Sequence, residues 1–518
     1  MREADRRRGV ARRRARARGR SALLGDVGRG VGRRGDARRE RGDHLRRRAR
    51  GRAQARHRVA RRQSCRRPAP RVPGVRSVRR WRWAIFLVPA SIYLFSYFHR
   101  VAPAVVATDL MRALSIGGST LGALAAIYPY TFVVMALVAG SLVDTLGSRW
   151  TLTLGCLAMG AGSALFGVAP VFSVAVAGRL LTSLGASVIL IAWLTLLAEW
   201  FRPDEFATVS GSTQGVGNVG ALLASTPLAL AVEALGWRQS FVLIGAITAV
   251  LALGGALLIR DRPQALGLPA VNAAHPAPGT LAEVIRGIPV VIGNPRTWPP
   301  ALAAGGVYAT AIAFLGLWGA PYLMQVYGFD RVRAANSLAL IPVGLIVGSP
   351  LVGWLSDRWL GRRRLPFVVF AIVYATCWLP LALAGARPSA TMLPALFFLM
   401  GLSASGLILV WACVREVNDP ARVGIAMGFC NMPIFFTFAV VQWLLGVVLD
   451  AQWDGLAVAG ARLYSARAYE AAFTLCLAVA SAGVISAAFV TETRCRNVFH
   501  MGGRLQRPPK PPDAPGAE

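Results

Sequence analysis

The chain has 518 residues, 55% of them hydrophobic and only 16% charged, with a formal net charge of +34. The charges are clustered and leave long uncharged runs, which excludes a water-soluble globular domain and marks an integral membrane protein. The seven cysteines have no paired spacing and mostly lie in apolar runs, so they read as small buried hydrophobes, with neither a metal site nor a disulfide framework expected.

Residues 1–80 hold 31 arginines against six acids and show no apolar periodicity, so a disordered tail is expected there. Three readings stand. The tail is a basic arm for nucleic acid or anionic lipid, an organelle transit peptide, or upstream GC-rich sequence translated from an early start, with true initiation near Val72, Val75 or Val78. No aromatic residues are interleaved for stacking on bases, and serine is scarce for a transit peptide. The third reading fits the composition best, and no nucleic-acid partner is expected.

Twelve apolar spans follow. The first half gives 83–103, 119–143, 150–168, 171–197, 208–231 and 240–259. A Pro-rich charged linker over 260–297 contains a stretch, 280–291, suited to a surface helix. The second half gives 298–322, 334–356, 365–386, 391–413, 423–447 and 470–490. The expected organisation is a bundle over 81–259, the linker, a second bundle over 298–490, and a basic tail over 491–518. With both termini inside, the cytoplasmic loops and tail after residue 82 carry 17 basic residues and the external loops seven. That asymmetry predicts cytoplasmic N- and C-termini.

One short loop organises the chain. Gly140-Ser-Leu-Val-Asp144-Thr-Leu-Gly147-Ser-Arg149 lies between 25 uncharged residues (Ser119 to Val143) and another 29 (Trp150 to Gly178). Gly353, Asp357, Arg358, Gly361 and Arg362 form a second copy. Gly140/Gly353, Asp144/Asp357 and Arg149/Arg362 are each 213 residues apart, and Gly211/Gly424, Gly215/Gly428 and Asn218/Asn431 share the offset. A repeated spacing indicates two similar membrane halves, the plan of many secondary transporters. The second copy differs in one respect: Gly361 follows its aspartate by four residues, whereas Gly147 follows by three.

The pattern Gly-x-x-x-Asp-x-x-Gly-x-Arg between spans 2 and 3, echoed between spans 8 and 9, resembles the loop signature of the major facilitator superfamily over roughly 81–491. The resemblance implies an all-α membrane fold of twelve transmembrane helices in two pseudo-symmetric six-helix bundles. It also implies that Gly140, Asp144, Gly147, Arg149, Gly353, Asp357, Arg358 and Arg362 latch the bundles on the cytoplasmic side while the cavity opens outward. Charge pairing and helix-end dipoles supply the physical basis. The alternative is that these are solvated loop charges.

Arg100 is the sharpest candidate for a substrate-binding residue. A charge within a span costs ~2.5–3.5 kcal/mol at the helix centre, and a guanidinium fits a carboxylate or phosphate oxygen pair. Snorkelling to headgroups is the competing reading. The position of Arg100, 44 residues before Asp144, resembles the first-helix arginine of organophosphate antiporters and organic anion symporters. His99 is a candidate substrate or proton site, although neighbouring helical residues point about 100° apart. Arg179, in Gly178-Arg-Leu-Leu-Thr-Ser-Leu-Gly185, resembles the superfamily's fourth-helix motif and is a coupling or packing residue. Asn218 and Asn431 form a matched amide pair that either bonds one substrate from two sides or joins helices beside close-packed glycines. Tyr128 and Trp318, with Tyr308, Tyr322, Trp411 and Gln442, either line the pathway or pack.

No Gly-x-x-x-x-Gly-Lys nucleotide loop exists, which argues against direct ATP drive, and no catalytic constellation appears. The expectation is a non-enzymatic secondary transporter in the cell (inner) membrane, a monomer needing no cofactor, that moves a small organic anion by alternating access, with a proton as the candidate coupling ion. A transporter-like membrane sensor, a nitrate/nitrite-type porter and an amino acid or peptide porter are the alternatives.

Overall fold

A computed structural model of the chain describes residues 75–499, apart from Leu137, Pro269, residues 272–280, Ala384 and Ala459. Residues 1–74 of the arginine-rich arm and the end of the tail fall outside these residues; residues 75–80, expected to be disordered, are helical, because the first helix runs Val75–Val101. Among the described residues, twelve helices are long and apolar enough to cross a membrane: α1 (Trp81–Ala104), α2 (Gly118–Met135), α3 (Ala139–Gly167), α4 (Phe172–Trp200), α5 (Val209–Leu235), α6 (Trp237–Leu258), α7 (Trp298–Tyr327), α8 (Arg331–Leu360), α9 (Arg364–Leu383), α10 (Leu393–Val417), α11 (Val423–Ala451) and α12 (Ala466–Ala488). At about 1.5 Å rise per residue these lengths match a hydrocarbon core ~30 Å thick. A helix satisfies its backbone internally, as hydrocarbon requires. The linker between α6 and α7 carries a helix at Leu281–Ile292.

The boundary between α2 and α3 differs from the reading of the sequence. The helix of α2 ends at Met135, and the chain re-enters helix at Ala139. The charged loop is therefore largely helical, and the reversal falls at Gly147, whose φ of 79° and ψ of 159° interrupt the helix. Gly147 also has little room for a side chain, since a Cβ there would meet the Asp261 carboxylate at 3.0 Å. Glycine fits both demands.

With lipid outside, burial drives association less than close approach does, and small residues mark the crossings. In the first half α3 meets α4 at Gly155 and Gly185, and α6 at Gly160 and Gly245. In the second, α7 meets α12 at Gly306 and Gly483, and α8 meets α10 at Gly344 and Gly401. Val134, Leu154, Val250, Leu253, Leu257, Val347, Ile485 and Phe489 point outward, while Arg100, Arg179, His99, Asn218 and Gln442 are buried within.

The two halves are tied together on the face opposite the charged loops. Asp450, near the end of α11, accepts from the backbone N–H of Gly118 (2.9 Å) and of Ser119 (2.8 Å), and from Ser119 Oγ (2.6 Å), at the start of α2. A carboxylate at a helix N-terminus satisfies orphan donors and meets the positive end of the helix dipole. Tyr464 Oη donates to the same carboxylate at 2.6 Å and Arg462 pairs with it at 3.0 Å. Burial and that carboxylate push the Tyr464 phenol pKa up, so the phenol stays a donor. Arg331 pairs with Asp109 at 2.6 Å, and Thr226 Oγ1 donates to Asn336 Oδ1 at 2.5 Å. Beneath these ties a Cβ on Gly446 of α11 would collide with the Gly118 carbonyl.

The loop face is arranged otherwise. A Cβ added at Gly140, Gly353, Gly211, Gly424, Gly215 or Gly428 would meet nothing within 4 Å. These are three of the pairs related by the 213-residue offset. These loop-face positions stand clear of neighbouring atoms, whereas the opposite face carries the bonds that join the halves.

Asp450→Asn retains the shape and removes the charge from this closure. At about 1.5–3 kcal/mol per charge-assisted hydrogen bond, the state open on the Asp450 face should gain population by roughly tenfold or more. Spin-label distances across that face would show a longer component; an unchanged distance distribution would place the closing energy in the helix crossing itself.

Candidate functional site

Arg100 lies five-sixths of the way along α1, only 5% exposed, at the level where the halves meet. Its guanidinium carbon is 4.2 Å from the ring centroid of Tyr97, three residues earlier on the same helix face. Phe132 and Tyr128 of α2 lie at 5.1 and 5.7 Å, and Phe435 of α11 at 5.3 Å. Nη1 donates to Tyr308 Oη of α7 at 2.6 Å, across the boundary between halves. Nε has no partner. Gly316 of α7 sits against the Arg100 carbonyl.

The rings continue across the molecule. Tyr128 stacks on Phe132 (5.0 Å), Phe132 on Phe435 (4.9 Å), and Phe435 meets Tyr308 edge-on (5.7 Å). Phe132 and Phe435 come one from each half and are only partly buried, with Arg100 buried behind them. The guanidinium is thus held by neutral groups: π faces, each worth about 0.5–2 kcal/mol, and one phenol. None of the ion pairs found among the described residues involves it.

His99 does not share this chamber. Its carbonyl accepts from Arg179 Nη1 at 2.6 Å, and its imidazole lines a small cavity with Ser163, Phe166, Arg179, Thr182 and Phe241 inside the first half. His99 Nε2 and Arg179 Nε are both buried without partners. Arg179 approaches the Tyr128 ring to 4.7 Å, so two guanidiniums flank one phenol, whose Oη donates to the Ser96 carbonyl at 2.8 Å.

The asparagines are not bonded to Arg100. Asn218 is buried with Nδ2 unpartnered, beside the crossing where Gly217 and Gly220 abut Tyr97 and Leu94 of α1. Asn431 Nδ2 turns back to the Met427 carbonyl of its own helix at 3.3 Å. Trp318 is buried further along α7, its Nε1 donating to the Gln442 carbonyl at 3.4 Å. The structure therefore gathers Arg100 and Tyr128 with Tyr97, Phe132, Tyr308 and Phe435. Of these last four, only Tyr308 stands out in the sequence as a possible lining residue.

Residues 85–432 match the family model described as Major Facilitator Superfamily. The chain belongs to this superfamily. It is 27% identical over 401 residues to the membrane sensor protein UhpC of Escherichia coli K12, covering 73% of this chain and 89% of that one. A probable hexose phosphate transport protein of Chlamydia trachomatis is 25% identical over 409 residues, covering 73% and 88%. Among solved structures, a bacterial homologue of the human lysosomal transporter Spinster, inward-facing and unoccupied, superimposes with a TM-score of 0.62 at 17% identity, covering 79% of this chain and 96% of that chain. A D-xylose–proton symporter gives 0.62 at 15% identity, covering 80% and 100%. These structures share the fold. The chain is a multi-pass membrane transporter of small solutes and not an enzyme.

The superfamily loops brace each half in this conformation. In the first, Arg149 donates from Nη2 (2.6 Å) and Nε (3.1 Å) to the Ala256 carbonyl at the end of α6, and its backbone N–H donates to Asp261 Oδ1 at 2.7 Å. In the second, the corresponding bonds belong to Arg363. Its backbone N–H donates to Glu492 Oε1, just beyond α12, at 3.0 Å. Its guanidinium pairs with buried Glu416 at 3.0 Å, donates to Ser356 Oγ at 2.9 Å and pairs with Asp357. Burial works against this charge, but Glu416 and Asp357 hold the Arg363 pKa above its ordinary value.

Arg362, at the 213-residue offset, is exposed. The shift has a visible cause: residues 355–360 form a π-turn that absorbs one residue, and Gly361 takes the left-handed conformation at φ 56°. The late glycine marks this displacement in the sequence. Asp144, Asp357 and Arg358 are exposed on the loop face.

Arg363→Ala should lower the melting temperature of the detergent-solubilised protein by several degrees, because it strands buried Glu416, a loss of about 3–5 kcal/mol for one partner of a buried pair. Arg362→Ala should leave it unchanged. Equal effects of the two substitutions would refute the displaced register.

Proposed function

We propose that the protein carries a small organic anion, with Arg100 as the anchor for its acid group. The single observation behind this reading is a buried guanidinium held by neutral groups only, at the junction of the two halves. In a low-dielectric site a charged donor gains most from a charged acceptor. The names of similar proteins support the class: hexose phosphate for the chlamydial relative, and L-galactonate for a probable transporter of Escherichia coli K12 that is 24% identical over 418 residues. Both solutes are anions.

In this reading the loop face is cytoplasmic, as the basic-residue asymmetry expects, both termini are cytoplasmic, and the protein works as a monomer in the inner membrane. The anion enters from the open loop face and passes Phe132 and Phe435 to reach Arg100. The loops and the Asp450 network then alternate as closures: Asp144, Asp357 and Arg358 join the halves when the Asp450 face opens. A proton is the candidate coupling ion and His99 its candidate site; pH-dependent flux that survives in His99→Asn would remove that role.

Similarity to a membrane sensor supports a second reading, ligand binding without net transport. Tight binding with no flux in proteoliposomes would select it.

In a thermal-shift series, L-galactonate and glucose 6-phosphate should stabilise the protein where neutral sugars and amino acids do not. Arg100→Ala should weaken anion affinity by roughly thirtyfold or more, as loss of a buried charged hydrogen-bond partner costs 2 kcal/mol or above. Anion stabilisation unchanged by Arg100→Ala would defeat the assignment.

A further inference from the structure

The Arg100–Tyr308 bond has a consequence for substrate selection, and it rests on the anion reading above. The guanidinium donor used by Tyr308 belongs to α1 of the first half, and the phenol to α7 of the second. Both side chains are more than nine-tenths buried. A neutral phenol oxygen is a weak acceptor for a guanidinium; an ionised oxygen forms a bond roughly twice as strong. An incoming acid group therefore competes for the same donor and wins it, whereas a neutral hydroxyl gains nothing by the exchange.

We infer that Tyr308 is an internal stand-in for the substrate's acid oxygen and the specificity-determining partner of Arg100. Its displacement does more than free a donor. The Tyr308 ring is packed edge-on against Phe435 at 5.7 Å and Phe438 at 5.9 Å, and Phe435 stacks on Phe132 of the other half. A phenol that leaves Arg100 must repack against the ring pair that covers the site. Close by, Gly316 of α7 lies against the Arg100 carbonyl, so α1 and α7 touch near the point where their side chains are bonded. Exchange of Tyr308 for an anion thus removes one of the bonds holding the halves together at the level of the site. Only a ligand with an ionised oxygen makes that exchange favourable, so discrimination against neutral analogues is carried by Tyr308 as well as by Arg100.

The test is Tyr308→Phe in the full chain, which keeps the ring and its packing and deletes only the hydroxyl. Binding of L-galactonate and glucose 6-phosphate would be measured in detergent, with counterflow of the better ligand in proteoliposomes, beside wild type and Arg100→Ala. Freed of its internal competitor, Arg100 should bind the anion about tenfold more tightly in Tyr308→Phe. Counterflow should slow, because release now lacks the returning phenol. Unchanged affinity would show that the bond is not exchanged. Affinity weakened severalfold would show that Tyr308 binds the substrate alongside Arg100. Either result overturns this inference while leaving the anion reading standing, provided Arg100→Ala abolishes binding. Binding indifferent to Arg100→Ala, or no anion binding by wild type, overturns both. Tyr308→Trp, which lacks the phenol and retains an aromatic ring, serves if the phenylalanine variant is unstable.

Discussion

A guanidinium confined among rings, without a carboxylate, is the constraint on which the centre of this protein depends. Arginine keeps its charge inside a membrane, where a lysine can neutralise itself by losing a proton and a glutamate by gaining one. The fold must therefore supply polarisable faces and neutral acceptors wherever Arg100 goes. It does so with Tyr97 from the same helix, Tyr128 and Phe132 from α2, and, decisively, Tyr308 and Phe435 from the other half. Since part of the solvation shell is borrowed across the boundary, the halves cannot separate at this level without exposing an uncompensated charge. An anion that replaces the borrowed groups removes that objection. On the proposed anion reading, substrate binding and movement of the halves are one electrostatic problem.

The two membrane faces solve complementary problems. On one, Asp450 gathers the start of α2, Tyr464 and Arg462 into a closed polar network over a glycine crossing too tight for any side chain. On the other, the loop-face glycines look into open space, and the charged loops are turned inward on their own halves through Arg149 and Arg363. Each half is braced internally by these bonds, and the carboxylates of Asp144 and Asp357 are left at the surface.

Much of this architecture was legible in the residues themselves. Twelve apolar runs and the 213-residue echo carry the fold, because hydrocarbon permits few alternatives to a helix of set length. Arg100 stood out for the same reason: a charge in such a run needs a partner. Its surroundings did not. Tyr97, Phe132 and Phe435 look like ordinary apolar residues, and only contacts separated by up to several hundred residues make them a cage. His99 illustrates the limit of adjacency, since one step along a helix sends its ring into a different cavity. The matched spacing of Asn218 and Asn431 is not matched by their bonding: Asn218 Nδ2 is buried without a partner, and Asn431 Nδ2 turns to the carbonyl of Met427 on its own helix.

The π-turn at 355–360 shows how a duplicated protein can change length without changing shape. An inserted residue in an α-helix would ordinarily rotate everything beyond it by about 100°. Here one widened turn takes up the surplus, Gly361 completes the correction, and the next arginine in line inherits the bonds. The symmetry between the halves is thus kept in the hydrogen-bond pattern, a carboxylate beyond the sixth helix holding the arginine's backbone N–H in each, while the residue-by-residue register drifts. Repeats that have diverged in this way are best compared by which groups they join: position pairs Arg149 with Arg362, and bonding pairs it with Arg363.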